Sequence, residues 1–466
     1  VGDKIIQLNF RGYCLASFSH STEPNRPFVD RYFEELLARG IQYFLPSSEL
    51  TLVGRSEDGK PKLHSHLRDG GAEFEWLGAK YSLVNQGKNL TEHEQKLLKG
   101  IGKVLSTRYQ LLFNAEVVAR SSEIFNGLPE DHYVSGFLDP YVFAGAATRA
   151  KVTDRVSEAI DVLRISALST YEDRRISTGA LLFGFQPDAC HALPSQPLGA
   201  LPYSSELTSI RSFHRICDGL RTVALVDRAG LMVELVDVGE WARPFAEFEL
   251  PVPSARRYEA HTRATLCGGH VCMILTPNGE IKIFADGAQV FSFLDGRWHL
   301  TDAVEKYRVW EEALGDKEVA HRLFSVALNL AEGRRGGLFV ILDDRRKARE
   351  LLGNRDLLHQ QQESAKAGSK NQLHYLLRSQ RVTELSQPVL ETVARIDGSI
   401  VLDRDGNLMA FGAILRHSPV LVTPDEVVEG SRTAAAMAAS QFGSVLKVSE
   451  DGRLSFYKNG HCVWDL

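Results

Sequence analysis

The chain has 466 residues, too many for one hydrophobic core, and its 44% apolar and 24% charged residues are those of a folded protein rather than a disordered one. With 54 Lys and Arg against 59 Asp and Glu, the formal charge of -5 excludes a chain-wide basic field for gripping nucleic acid. No apolar run reaches bilayer length, no charged-then-apolar leader opens the sequence, and six irregularly spaced Cys fit reduced thiols, so the expected setting is the cytoplasm without membrane contact.

Residues 1–145 alternate short apolar runs, Ile5–Phe10, Tyr43–Leu45 and Glu73–Trp76, with Gly-rich and charged turns. His64-Ser65-His66 puts two imidazoles on one side of an extended segment, without a carboxylate motif beside them. Thr91-Glu92-His93-Glu94 has the form of a capping box, in which the hydroxyl accepts from the new helix and the Glu reaches back. Leu97, Leu98, Ile101, Val104 and Leu105 follow at helical spacing. This stretch predicts a separate α+β unit, and it carries no motif that assigns it a role.

The remainder repeats itself. Asp227, Arg228 and Gly230 fall 176 residues before Asp403, Arg404 and Gly406, each set between two apolar runs in the pattern of a β-hairpin. Gly279, ahead of Glu280–Ala285, falls 173 residues before Gly452, ahead of Arg453–Lys458. Upstream, Glu172–Arg175 with Gly179–Phe183 parallels Glu332–Arg335 with Gly337–Phe339. The insertions sit where loops belong: the polar stretch His359–Asn371 in the second copy and the Pro-rich Leu193–Tyr203 in the first. Each copy predicts the order helix, strand, loop, helix, hairpin, small-residue helix, hairpin, the elements of an α/β domain with a mixed sheet flanked by helices. The expected division is 1–145, 146–300 and 301–466.

In the second copy Glu429-Gly430-Ser431-Arg432-Thr433 leads into the Ala-rich Ala434–Ser440. A Gly and a hydroxyl at a helix start leave backbone N–H groups and a positive dipole end, and Arg adds a planar cation, a combination that suits a phosphate. An ordinary N-cap with a solvent-facing Arg is the plain alternative. Asp397 before Gly398 and Glu450 after Ser449 frame that loop as carboxylates able to share a Mg²⁺ or Mn²⁺ with nucleotide phosphates, although both residue types also make turns.

Arg335-Gly336-Gly337-Leu338-Phe339, Asp397-Gly398-Ser399, Gly430-Ser431-Arg432-Thr433-Ala434 and Ser449-Glu450 stand in the order of the motifs of the diadenylate cyclases, which the last third of the chain resembles. The resemblance implies tandem domains of this type, the first degenerate, and a site for ATP or a cyclic dinucleotide with Mg or Mn. In that family two face-to-face sites join two ATP into cyclic di-AMP. Carried over, Asp397 is catalytic and serves the attacking hydroxyl or the metal, Gly398 and Ser399 approach the nucleotide, and Glu450 is the second metal ligand. Gly430, Ser431, Arg432, Thr433 and Ser449 line the phosphates.

The departures matter as much as the matches. The family's Arg-His-Arg keeps only Arg432, with Thr433 and Ala434 in the other places, and Ile396 stands where many members have a metal-binding His. Loss of a bidentate clamp on developing phosphate charge should cost turnover before it costs binding. In the first copy Arg221-Thr222-Val223 replaces Asp-Gly-Ser, and Pro277 replaces the Glu. The expected function is therefore a nucleotide-binding sensor of the kind associated with bacterial nucleotide signalling or defence. A working diadenylate cyclase and a ligand-free scaffold are the alternatives. The expected partners are a nucleotide and either a second copy of the chain or a separate effector protein. Cys267-Gly268-Gly269-His270-Val271-Cys272 lacks a second ligand pair at zinc spacing and reads as buried thiols.

Overall fold

The computed structural model describes residues 26–55, 64–68, 71–84, 89–113, 127–143, 154–171, 174–186, 190–192, 201–353, 356–357, 377, 380–416 and 430–466. The stretches Ile5–Phe10, His359–Asn371 and residues 193–200 of the Pro-rich insertion lie outside them. The chain is mixed α/β, and it divides into two compact units, Val1–Ser157 and Glu158–Leu466. Among the described residues, no helix is long and apolar enough to cross a membrane.

In the first unit the helix Arg26–Phe44 buries Phe33, Leu37, Ile41 and Phe44 along one stripe. Strands β1 (Glu49–Arg55), β2 (His64–Arg68), β3 (Gly71–Trp76) and β4 (Ala79–Val84) form an antiparallel sheet in the order β1-β4-β3-β2. The predicted capping box is present: Glu94 N donates to Thr91 Oγ1 at 3.1 Å and Thr91 N to Glu94 Oε2 at 2.9 Å, at the start of the helix Glu92–Leu112. That helix buries Leu97, Leu98, Ile101, Val104 and Leu105.

The second unit holds two large sheets. Beyond the short pair β5 (Thr170–Tyr171) and β6 (Arg174–Arg175), the first sheet comprises β7 (Thr178–Leu182), β8 (Leu201–Pro202), β9 (Thr222–Val226), β10 (Leu231–Asp237), β11 (Val271–Leu275), β12 (Ile281–Ala285), β13 (Ala288–Leu294) and β14 (Arg297–Leu300). The second comprises β15 (Gly337–Leu342), β16 (Ser399–Asp403), β17 (Leu408–Ala413), β18 (Gly443–Val448), β19 (Leu454–Lys458) and β20 (His461–Asp465). Their orders are β14-β13-β12-β11-β7-β9-β10-β8 and β17-β16-β15-β18-β19-β20. Reversing the first lays β10-β9-β7-β11-β12-β13 on the second strand for strand. In each, one central pair is parallel, β7 with β9 and β15 with β16, and the other pairs are antiparallel. The two hairpin blocks fall on equivalent strands, and Gly179 and Gly337 fall on the equivalent β7 and β15, so the repeat of residues is a repeat of topology; Arg174–Arg175 is a short strand where the second copy has a helix end and turn, and Glu172 and Asp173 lie outside the described residues.

The copies differ where the small-residue helix belongs. The second has Ser431–Ala439, whereas the first has two five-residue helices, Val238–Ala242 and Glu259–Arg263, separated by short 3-10 turns. Pro244, Pro251 and Pro253 explain this, since each removes a backbone donor and a continuous helix cannot form across them.

Strand β15 is apolar throughout because it is covered on both faces. Phe339 and Ile341 face one core with Leu323, Phe324 and Leu330 of the helix Lys317–Glu332, while Leu338, Val340 and Leu342 face another with Ala436 and Ala439 of Ser431–Ala439. Leu328, on the same long helix, packs against this core and against that of the first repeat. Polar contacts join the repeats beside it. Arg256 pairs with Glu391 at 2.9 Å, Lys282 pairs with Glu332, and Arg334 pairs with Glu280. A cleft of about 340 Å³ lies there, with Tyr258, Phe284, Phe324 and Leu328 among its walls. The division expected at 300/301 therefore falls inside one compact unit, between β14 and the helix Ala303–Leu314.

Candidate functional site

Phe339 of β15 lies opposite Ile400 of the parallel β16, and Gly337 lies opposite Val448 of the antiparallel β18. The residues just before β15 and β16 and just after β18 consequently meet at one end of the sheet. These are Gly336, Asp397 with Gly398, and Ser449 with Glu450.

The helix Ser431–Ala439 begins beside them. Its N-cap, Gly430, has φ +89° and, being glycine, carries no side chain to cap the first turn. Arg432 Nη1 donates to Glu450 Oε1 at 2.8 Å. The guanidinium lies against Gly336, where a Cβ would stand 2.1 Å from Nη1, so a larger residue there would push the Arg432 side-chain tip aside. Lys447, on β18, donates to Thr433 Oγ1 at 3.1 Å and to the Tyr457 hydroxyl at 3.4 Å. Burial pushes the Tyr457 phenol up to about 12, with the neighbouring Cys462 and Asp465 acting in the same direction. Tyr457 therefore stays neutral at ordinary pH.

Each expected residue has a definite place. Arg432 meets Glu450, Thr433 meets Lys447 instead, Ser431 is exposed at the helix start, and Asp397 is exposed at the same sheet end. Gly398 is held at φ +113°, with its Cα pressed on the Gly412–Ala413 backbone of β17. Ser399 turns inward, 2% exposed, and commits its hydroxyl to Ala413 O at 3.0 Å. The Ser449 amide and hydroxyl both donate to Arg453 O, which ties Ser449 into its own turn. Reasoning from the sequence misses Gly336 and Lys447 as site residues. A Gly doublet before a strand and one Lys within the apolar run Val445–Val448 are their traces in the sequence.

The chain matches no family model and no curated protein sequence. Among solved structures it is similar to a hypothetical membrane-spanning protein from Bacillus cereus, at 19% identity over 34% of this chain and 69% of that one, with a TM-score of 0.26. It is also similar to a double mutant of DacA from Staphylococcus aureus, at 17% identity over 34% of this chain and 89% of that one, with a TM-score of 0.21. Both scores are too low to carry an argument about this chain.

Among the described residues, no group of three or more His, Cys, Asp or Glu is placed to hold a metal ion. Asp397 and Glu450 supply two hard oxygen donors, and Arg432 already engages one of them. A Mg²⁺ or Mn²⁺ here would have to complete its shell with phosphate oxygens and water, as such ions commonly do. The first repeat lacks even this set. Arg221, in the place of Asp397, pairs with Asp237 at 3.0 Å, and Pro277 stands for Glu450. Nearby, Cys272 is buried in β11, and burial raises its thiol pKa far above the usual range. His270, also buried, accepts at Nδ1 from Gly184 N at 2.9 Å, whereas Cys267 is half-buried, so one of the two thiols expected to be buried is.

Proposed function

We propose that residues of the second repeat bind a nucleotide through its phosphates and that the protein is a sensor of diadenylate-cyclase type that has lost turnover. The observation that supports this best is Arg432 at a helix start whose N-cap is glycine, within hydrogen-bond reach of Glu450 and at the sheet end that also carries Asp397. Backbone N–H groups, a helix dipole and a guanidinium make an anion site, and the Asp397 carboxylate at the same sheet end allows a divalent ion to enter with the phosphates. One repeat offers this set and the other does not, so the paired sites that join two ATP are missing within one chain. A cytoplasmic role in bacterial nucleotide signalling or defence, read out by a second copy or a separate effector protein, accords with this reading.

Titration calorimetry with ATP and with cyclic di-AMP, together with incubation in labelled ATP and Mn²⁺, tests it. Saturable binding without product is the expected result. Accumulation of cyclic di-AMP that disappears in Asp397→Asn would make the protein a working cyclase, and no heat with any nucleotide would leave a scaffold.

A further inference from the structure

We propose that Glu450 is an internal competitor for the phosphate position, holding Arg432 until a nucleotide displaces it, and that the turn carrying Glu450 is braced by the contact between the two repeats. The proposal rests on the nucleotide reading above. Arg432 and Glu450 form an ion pair at 2.8 Å. A guanidinium receives carboxylates and phosphates through the same fork of N–H donors, so the two anions compete for one cation. Seating both would set like charges side by side.

The competitor is held from behind. Glu450 precedes the turn that links β18 to β19, where Gly452 N donates to Ser449 O. In that turn the Asp451 carbonyl accepts from Arg334 Nη1 at 3.0 Å, and Arg334 pairs with Glu280 of the first repeat. Gly452 lies against the Ala331 carbonyl, at the end of the helix shared by both repeats. A phosphate that expels Glu450 therefore works against a turn anchored across the inter-repeat contact, and loosening that anchor eases its entry.

The sign of one substitution separates this from the metal-ligand role that the resemblance implies. If Glu450 is a ligand, Glu450→Gln weakens ATP; if it competes, the same change tightens ATP. The pair is largely exposed, so the gain is that of a surface ion pair, about three- to fivefold in Kd. Calorimetric titration of the full chain with ATP, in EDTA and in Mg²⁺, reads it. Asp451→Asn controls for simple loss of negative charge and is expected to change Kd by less than about 1.5-fold, because Asp451 faces Arg453 rather than Arg432. Arg334→Met is expected to tighten ATP when Glu450 is present and to add nothing in the Glu450→Gln background, since the two act on one contact. Unchanged or weaker binding in Glu450→Gln, with the natural protein binding ATP, overturns the proposal and leaves the nucleotide reading standing. An equal gain from Arg334→Met in both backgrounds removes the turn from the route and overturns the bracing. Absence of binding in both the natural protein and Glu450→Gln overturns the nucleotide reading itself.

Discussion

Gly398 offers the sharpest test of the site's architecture. Its φ of +113° lies where L side chains are strained, and a Cβ there would stand 2.5 Å from Gly412 C and 2.7 Å from Ala413 N. Those are backbone atoms of β17, which cannot swing aside as a side-chain tip would. Left-handed backbone costs an alanine about 1–2 kcal/mol, and forcing extra volume into a packed site adds about 1–3 kcal/mol. Gly398→Ala should therefore destabilise the second unit by about 2–5 kcal/mol in total. Gly296 is the internal control, with φ +78° and nothing within 4 Å of the point a Cβ would occupy, so Gly296→Ala should show the conformational cost alone. Urea denaturation followed by tryptophan fluorescence reads both, because Trp241, Trp298, Trp310 and Trp464 all lie in this unit. Equal costs for the two substitutions would refute the close approach between Gly398 and β17.

Three further expectations concern charge and protonation. Arg432→Ala should weaken ATP binding by about 1.5–3 kcal/mol, the usual size of a charged hydrogen bond, and an unchanged Kd in calorimetry would remove Arg432 from the site. Glu332→Ala leaves the buried Lys282 with the Tyr258 ring and, among the described carboxylates, Glu280 at 3.8 Å, and should cost about 2–3 kcal/mol in urea denaturation. Recovery by Glu332→Gln but not by the similarly sized, apolar Glu332→Met would identify the loss as an unsatisfied ammonium rather than lost packing. Burial holds the His261 imidazole below its ordinary 6.5, while its hydrogen bond to Gly219 O opposes that shift. The unfolded state then takes up the proton first, so stability holds above pH 6.5 and declines as pH falls through 6.5 toward the lowered folded value. A stability profile that stays flat between neutral pH and pH 5 would contradict this burial, and His261→Gln should flatten it in part.

The repeat is legible in the sequence because hairpins keep their signature locally: Asp227 with Gly230 and Asp403 with Gly406 each stand between apolar runs. The strand order is not legible, since pairing β7 with β9 and β11 depends on contacts far apart in the chain. The Thr91 capping box can be read directly because its two hydrogen bonds span only three residues. The site is half legible. Arg432, Thr433, Asp397 and Glu450 stand out as polar groups at element ends, whereas the inward turn of Ser399 follows from strand alternation against β17. Gly336 and Lys447 gain meaning only once Arg432 and Thr433 are packed against them.

The helix Lys317–Glu332 also governs how the molecule can be cut. It is claimed from two sides, so a fragment beginning at Ala303 would bring Leu328 and Glu332 into water, and the complementary fragment would strand Lys282 without its nearest carboxylate. Protease trimming should accordingly spare the stretch between β14 and that helix, and the halves should survive together or not at all.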